Sequence, residues 1–237
     1  MVKILKKIKF FYFSNDLLKL FLTNFIGFFL CKNKITFIQV PRSSTTLINS
    51  IIKENIKDKS KLFLSNKYFS NHYLKPKFFF PKKYFVSLRD PVERFVSAYY
   101  HLKNNQSVTY YDDFFEKYPT IDILADKITS KKTKKYIRLS HHLNENLNTF
   151  FSIKKINKNK PIFVIDSRYL KKDLKIFFLK FLSLQNINLN RIKNNKIITK
   201  KSNLKKKTKS KLRNFLAEDY LIYYELKKIR KKILNSM

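Results

Sequence analysis

The chain has 237 residues and a formal net charge of +36, from 52 lysines and arginines against 16 aspartates and glutamates. Its single cysteine excludes an internal disulfide framework and a cysteine-rich zinc site, and indicates a reduced or redox-indifferent compartment. Hydrophobic residues make up 44% of the chain, too many for a disordered polycation, so we expect a packed core.

The first 33 residues combine basic and apolar side chains. Four lysines lie within residues 1–10, and the apolar stretch 10–31 that follows contains Asp16 and Lys19. Its uninterrupted apolar runs are shorter than the about 20 residues that a bilayer span requires. We therefore expect residues 1–33 to be a separate helical segment that packs on the domain or touches a membrane peripherally. A cytoplasmic or membrane-peripheral location follows from this.

From Lys34 onward, predicted strands and helices alternate along the chain. β-branched and aromatic runs predict strands at 35–40, 84–88 and 162–165, and helical apolar spacing predicts helices at 45–55, 92–102, 170–181 and roughly 205–234. This alternation predicts one α/β domain over residues 34–237, with a central parallel sheet flanked by helices. In such folds, ligands bind beyond the carboxyl ends of the strands.

Polar residues connect the first predicted strand to its helix: Pro41, Arg42, Ser43, Ser44, Thr45 and Thr46. The first turn of a helix offers unpaired backbone N–H groups and the positive end of the helix dipole, which attract anions. With the hydroxyl groups and the Arg42 guanidinium added, the predicted ligand is a phosphate or a sulfate. The glycines and the Gly-Lys-Ser/Thr ending of a Walker A loop are missing, which argues against nucleoside triphosphate hydrolysis. A helix start rich in Ser and Thr is also often a simple N-cap.

A second motif, residues 89–99, follows the second predicted strand. Asp90 is placed to cap the next helix, and Pro91 suits its first position. Ser97 lies opposite the apolar stripe of that helix, so its hydroxyl and the Arg89 guanidinium can together hold a phosphate monoester. For this segment alone, an Arg–Asp surface pair with Ser97 as a filler is an equally good interpretation.

Together, the two motifs resemble those of sulfotransferases that use 3′-phosphoadenylyl sulfate, in particular the carbohydrate sulfotransferases related to heparan 2-O- and chondroitin 4-O-sulfotransferases. Residues 40–46 are similar to the family's Pro-Lys-x-x-x-Thr-Ser/Thr loop, which holds the 5′-phosphosulfate. Residues 88–99 are similar to its Arg-Asp-Pro-x-x-Arg-x-x-Ser-x-Tyr motif, which holds the 3′-phosphate. Weaker similarity extends over residues 162–174 and over Asp219, Tyr220 and Tyr223 of the last helix.

The resemblance implies a P-loop-like sulfotransferase fold and transfer of a sulfonyl group from 3′-phosphoadenylyl sulfate to a hydroxyl group. A saccharide or glycan is the expected acceptor, and the transfer needs no metal. The 41–46 loop would hold the phosphosulfate, and Arg89 and Ser97 would hold the 3′-phosphate. The family's loop has Lys where this chain has Arg42, and often a small residue such as Gly where Ser44 stands. Arg42 supplies positive charge but is too weak an acid to donate a proton.

The transfer also requires a base for the acceptor's proton, and the sequence has four histidines. The resemblance implies His72 as this base, because a catalytic His precedes the second strand in the heparan 2-O-like members. His141 and His142 resemble a His-aromatic pair of the chondroitin 4-O-like members and are the second candidates, for acceptor contact or as base. We expect a structural role for His101, and for Glu93 a pairing with a neighbouring arginine.

The charge supports a second class of function, a non-catalytic protein that binds nucleic acid or another anionic polymer. Its lysine-rich segments would be residues 130–135 and 200–213, as exposed loops or helix starts. Lys, Asn, Ile and Phe are abundant along the whole chain, however, which is typical of a compositional bias with a solvated basic surface. Nucleic acid is therefore not the expected partner. A nucleotide binder that has lost transfer is the third alternative.

Overall fold

The structure is a computed structural model that describes residues 34–56, 62–64, 81, 83–104, 112–139, 141–194 and 204–237. The predicted N-terminal segment 1–33 and His72 lie outside these residues. Among the residues that the structure describes, no helix combines the length and the apolar character needed to cross a membrane.

Strands and helices alternate, with many short helices between the last two strands. The strands are β1 (Ile35–Ile38), β2 (Leu62–Leu64), β3 (Lys83–Leu88) and β4 (Phe163–Asp166). The helices before β4 are α1 (Thr45–Asn55), α2 (Pro91–Asn104), α3 (Asp112–Lys117), α4 (Ile121–Lys127), α5 (Lys131–Leu139), α6 (His141–Asn144), α7 (Leu147–Phe150) and α8 (Ile153–Lys158). After β4 come a 3-10 turn (Ser167–Tyr169), α9 (Leu170–Leu182), α10 (Asn190–Asn194), α11 (Lys206–Phe215) and α12 (Ala217–Asn235).

The four strands form one parallel sheet in the order β2-β1-β3-β4. Thr36 aligns with Tyr84 across β1 and β3, and Val86 aligns with Val164 across β3 and β4. The predicted α/β class with a parallel sheet flanked by helices is therefore confirmed. From β1 the chain continues to β2 on one side, and from β3 it continues to β4 on the other. The carboxyl ends of β1 and β3 thus border a topological switch point, where ligands bind in open α/β sheets.

One face of the sheet is covered by α1 and α9. Phe37, Phe85 and Phe163 point to this face, where all three are fully buried. The rings of Phe37 and Phe85 are stacked with centroids 4.5 Å apart, and Phe177 of α9 lies 4.3 Å from Phe85. Aromatic pairs of this kind add stability beyond the area that they bury. They fix α1 and α9 against the sheet, and with α1 the loop that precedes it.

The other face is covered by α2, α12 and the short helices between β3 and β4. Ile38, Val86 and Val164 are buried here with the apolar side of α2. Leu226 of α12 is fully buried in the same cluster. Helix α12 packs against β4, α2 and α7 and thus joins the last strand to two earlier helices.

The predicted strands at 84–88 and 162–165 correspond to β3 and β4, and the predicted helix at 45–55 is α1. The first strand ends at Ile38 instead of residue 40, and β2 was not predicted. The predicted last helix is two helices, because the buried Leu216 leaves the helical conformation with φ −99° and ψ 23°.

The lysine-rich segments 130–135 and 200–213 run into α5 and α11, and each helix has a buried apolar side.

Candidate functional site

The loop between β1 and α1 holds two non-glycine residues with left-handed backbone, Arg42 at φ 63° and Ser44 at φ 64°. A turn closed by the N–H of Ser43, which donates to the Val40 carbonyl at 3.3 Å, reverses the chain after the strand. Below the loop, the Asn49 amide donates to Gln39 Oε1 at 2.7 Å and ties α1 to the end of β1. These contacts hold the first turn of α1 at the edge of the sheet.

The first turn of α1 presents backbone donors. Intrahelical bonding begins with the N–H of Ile48, which donates to the Ser44 carbonyl at 3.0 Å, so the N–H groups of Thr45 and Thr46 have no intrahelical acceptor. The side chain of Ser44 makes no cap hydrogen bond. Ser43 is 1% exposed, and its hydroxyl has no partner among the described residues. Burying a hydroxyl without a hydrogen-bond partner costs free energy, so this hydroxyl is a candidate donor to a ligand oxygen.

The second motif begins as predicted, with Asp90 capping α2. Its Oδ1 accepts hydrogen bonds from the N–H groups of Val92 at 3.0 Å and Glu93 at 3.2 Å, and Pro91 is the first helical residue. The Arg89 Nε lies 3.7 Å from Glu93 Oε2, which confirms the predicted structural pairing of this carboxylate. Cap and ion pair together fix the direction in which Arg89 leaves the strand.

The two motifs meet at the switch point. Nη1 of Arg89 donates to the carbonyl oxygen of Arg42 at 3.3 Å, and Nε of Arg42 donates to the hydroxyl of Ser97 at 3.4 Å. The structure thus brings the predicted residues of the two motifs together, although 55 residues separate Arg42 from Ser97. The sequence suggested that the Ser97 hydroxyl is free for a ligand. In the structure it already accepts a hydrogen bond from Arg42.

Two guanidinium groups face the same space. Burial lowers the pKa of Arg42, and the nearby charge of Arg89 lowers it further. Burial also lowers the pKa of Arg89, against the opposing effect of Glu93. The described residues supply Arg42 with no carboxylate partner. A dianionic ligand would stabilise these two partly buried cations.

The predicted histidines have different positions. His72 lies outside the described residues, and His141 begins the short helix α6, where its side chain is not described. His142 follows on α6, and its ring packs edge-on against His101 of α2 with centroids 5.1 Å apart. Burial and the charge of Arg42 both lower the pKa of His101. His101 is therefore close enough to Arg42 for the guanidinium charge to affect its pKa. The spacing of four residues between Ser97 and His101 could have indicated that both lie on one side of the helix.

A buried arginine connects α2 to the His142 segment. Arg94 is 2% exposed, and its Nη1 donates to the His142 carbonyl at 3.0 Å. Its Nη2 bonds to Asn146 Oδ1. Burial lowers the pKa of Arg94 to about 10, opposed by the charges of Asp219 and Glu145, so the side chain stays cationic at neutral pH.

Helix α12 brings further side chains to the strand ends. The hydroxyl of Tyr220 donates to both carboxylate oxygens of Asp90 at 3.1 Å. At the end of β4, Arg168 pairs with Asp166 at 2.8 Å and donates to the hydroxyl of Tyr223 at 3.0 Å. Tyr220 thus supports the second motif, and Tyr223 supports the end of β4.

No protein-family model matches the chain, and neither the curated proteins nor the solved structures compared with it give a significant match. The function is therefore argued from the residues at the switch point and from their geometry.

Proposed function

We propose that the chain is a 3′-phosphoadenylyl-sulfate-dependent sulfotransferase with a P-loop-like sulfotransferase domain over residues 34–237. The observation that carries this proposal is the meeting of the two motifs: Arg89 binds the loop carbonyl of Arg42, and Arg42 binds Ser97. Their order, their spacing and their location at the carboxyl ends of β1 and β3 are those expected for a nucleotide with two separate anionic groups.

The 5′-phosphosulfate would lie over the first turn of α1. The N–H groups of Thr45 and Thr46, the dipole of the helix and the buried hydroxyl of Ser43 supply donors for its oxygens. Arg42 would face the oxygen that bridges phosphorus and sulfur, where negative charge grows as the bond to sulfur breaks. Since an arginine stays protonated, Arg42 acts here through its charge and its hydrogen bonds.

The 3′-phosphate would be bound by Arg89 and Ser97. A guanidinium can donate to two phosphate oxygens at once, and the hydroxyl adds a third donor on the same side. Holding the nucleotide at both phosphates orients the sulfur for in-line attack. The Ser97 hydroxyl would exchange its bond with Arg42 for one with the phosphate, which releases Arg42 toward the bridging oxygen.

The acceptor would be a hydroxyl group, with a saccharide as the proposed class. The acceptor oxygen forms a bond to sulfur while the bond from sulfur to the bridging oxygen breaks, and the electron pair leaves with the adenosine bisphosphate. A base takes the hydroxyl proton, and His72 is the residue that the sequence suggests. We propose that the transfer needs no metal. The proposed location of the protein is the cytoplasm or a membrane surface.

The decisive experiment measures binding of 3′,5′-adenosine bisphosphate by thermal shift and calorimetry. The nucleotide is expected to raise the free energy of unfolding of the wild type by RT ln(1 + [L]/Kd), about 2.7 kcal/mol at a hundredfold excess over Kd, and thereby its Tm. Substitution of Arg89→Ala or Ser97→Ala should remove most of this effect. The matched control is Arg191→Ala, which removes an exposed arginine paired with Glu54 on another face.

Failure of the nucleotide to stabilise the wild type would reject the proposal. If the protein instead bound RNA or DNA tightly and salt-dependently, the second class of function would apply. Ten exposed lysines and arginines on or beside α5 and α11 are available to phosphates. These residues are Lys131, Lys132, Lys134, Lys135, Arg138, Lys205, Lys206, Lys207, Lys209 and Arg213. Nucleotide binding without product from any acceptor would identify a binder that has lost transfer.

A further inference from the structure

One face of α2 continues from the phosphate-binding residues to a histidine. Glu93, Ser97 and His101 follow Arg89 at intervals of four residues, and such residues lie one above another on a helix. Arg42 lies along this face, since its carbonyl accepts from Arg89 and its Nε donates to Ser97. His101 therefore occupies the next position along the face that the Arg42 side chain already contacts.

The surroundings of His101 favour a neutral imidazole. The side chain is half-buried on α2, and burial lowers its pKa, with a further decrease from the charge of Arg42. From the other packed elements, Arg42 and His142 face the ring. A histidine with a pKa below its ordinary value of about 6.5 is uncharged at neutral pH and can accept a proton.

The orientation of the ring is fixed from the opposite side. His142 packs edge-on against His101 with an interplanar angle of 64°. Its backbone is held by the buried Arg94, whose guanidinium donates to the His142 carbonyl. Since Arg94 and His101 both belong to α2, the same helix carries the imidazole and fixes the residue that supports it.

We propose that His101 is the general base of the sulfonyl transfer, with His142 as a positioning residue. This inference rests on the function proposed above. The acceptor hydroxyl oxygen bonds to sulfur and passes its proton to a ring nitrogen of His101, which later releases it to solvent. The bond from sulfur to the bridging oxygen breaks, and its electron pair leaves with the 5′-phosphate beside Arg42. Base and leaving-group cation thus belong to one contact network.

Three full-length variants test this assignment: His101→Gln, His72→Gln and Tyr100→Phe. The first two variants each remove one of the two competing histidines, and the third is the matched control, since it keeps the ring that packs on Tyr99 of the same helix. Each is compared with the wild type for binding of 3′,5′-adenosine bisphosphate and for turnover of 3′-phosphoadenylyl sulfate. Heparosan and chondroitin serve as trial acceptors, and water serves as acceptor in the hydrolysis of the nucleotide.

We expect His101→Gln to lower kcat about 10²–10⁴-fold, the usual contribution of a general base, with unchanged bisphosphate binding. In the wild type, kcat should fall toward acidic pH as His101 becomes protonated, and this decrease should be absent in the variant. The control Tyr100→Phe should retain turnover, and the comparison of His101→Gln with His72→Gln decides which of the two histidines is the base. Loss of turnover in His72→Gln with normal turnover in His101→Gln would overturn the assignment.

A second readout does not depend on turnover. The NMR signal of the His101 ring, assigned by its loss in His101→Gln, is titrated with and without bisphosphate. We expect bound anion to raise the pKa of His101, because it neutralises the charge of Arg42. Bisphosphate binding with no change in this titration would overturn the inference while leaving the proposed function intact. Absence of bisphosphate binding would instead reject the function, and binding with no turnover by the wild type would reject transfer and base together.

Discussion

Ser44 has left-handed backbone at φ 64° and ψ 18°, at the position where a glycine would be unstrained. A residue with a Cβ in this region costs about 1–2 kcal/mol. The Ser44 side chain makes no cap hydrogen bond that would offset this cost. With a single glycine in the whole chain, the loop is built from serine and threonine, and its shape is enforced by contacts such as the Arg89 bond to the Arg42 carbonyl.

We predict that Ser44→Gly raises the free energy of unfolding by about 0.5–1 kcal/mol, because relief of the left-handed strain exceeds the added entropy of the unfolded chain. Urea denaturation measures the change. Bisphosphate affinity should not decrease, since the backbone donors of α1 remain. Ser183→Gly is the matched control: it also has left-handed backbone, at φ 56°, but lies at the end of α9, away from the loop. A destabilised Ser44→Gly would contradict this account.

At this scale, the sequence predicts types of chemistry better than contacts. The pattern around Arg89 and Ser97 predicts an anion site, since a guanidinium and a hydroxyl can together donate hydrogen bonds to phosphate oxygens. The bond between Arg42 and Ser97 joins residues that are 55 positions apart, and only the tertiary fold determines it. His101 was assigned a structural role: its spacing from Ser97 places both residues on one side of the helix, but the proximity of Arg42 depends on the tertiary fold.

At the scale of elements, the end of β4 is joined to α12 through one ionised carboxylate. Burial alone would raise the pKa of Asp166, but the hydrogen bonds and charge of Arg168 outweigh it, so the pKa lies below its ordinary value. The Arg168 guanidinium also donates to the hydroxyl of Tyr223 on α12. A carboxylate with a lowered pKa stabilises the fold above its unfolded pKa of about 3.9, and this contribution is lost as the pH falls through the folded pKa.

We predict that Arg168→Gln lowers the free energy of unfolding by about 1–2 kcal/mol at pH 7, since a buried carboxylate loses its charged partner. The difference between variant and wild type should shrink as the pH falls below about 4, because protonation of Asp166 removes the interaction in both. Denaturation at several pH values measures this. Arg191→Gln breaks an exposed pair with Glu54 and should cost less than about 1 kcal/mol. A difference for Arg168→Gln that is constant with pH would contradict the linkage.

Elements with strong local signals were predicted well. Helix α1 has polar residues at its start and apolar residues at helical spacing, and it occupies the predicted range. Strand β2 has three residues and offers almost no periodicity, so it was missed. The short helices between β3 and β4 were also missed, because packing around buried residues such as Tyr118 and Phe150 stabilises them more than their own sequence does.

At the scale of the whole molecule, a net charge of +36 on a folded chain implies strong self-repulsion. We predict that raising NaCl from about 10 mM to about 200 mM increases the Tm by about 3–6 °C, since the Debye length falls from about 30 Å to below 10 Å. Calorimetry measures the shift. The double variant Arg89→Ala, Ser97→Ala should show the same salt response but no bisphosphate response. A Tm that falls with salt would mean that favourable ion pairs outweigh the repulsion.

The alternation of strands and helices predicts a parallel sheet, and the structure confirms it. The order of strands follows less directly, because it depends on β2, which the sequence did not indicate. Without β2 the switch point between β1 and β3 is not defined. The sequence therefore predicts that both motifs lie at carboxyl ends of strands, whereas the fold makes those two ends neighbours.

The contacts of α12 with distant parts of the chain have a consequence for folding during synthesis. Tyr220 binds Asp90 across 130 residues, and Asn148 donates its N–H to Asp219 across 71 residues. Contacts of such long sequence separation form slowly, since the intervening chain must first be closed into a loop. While the ribosome is still translating α12, the segments 41–46 and 89–99 already exist without the helix that supports Asp90. The support that Tyr220 gives to Asp90 therefore forms only after α12 has been synthesised.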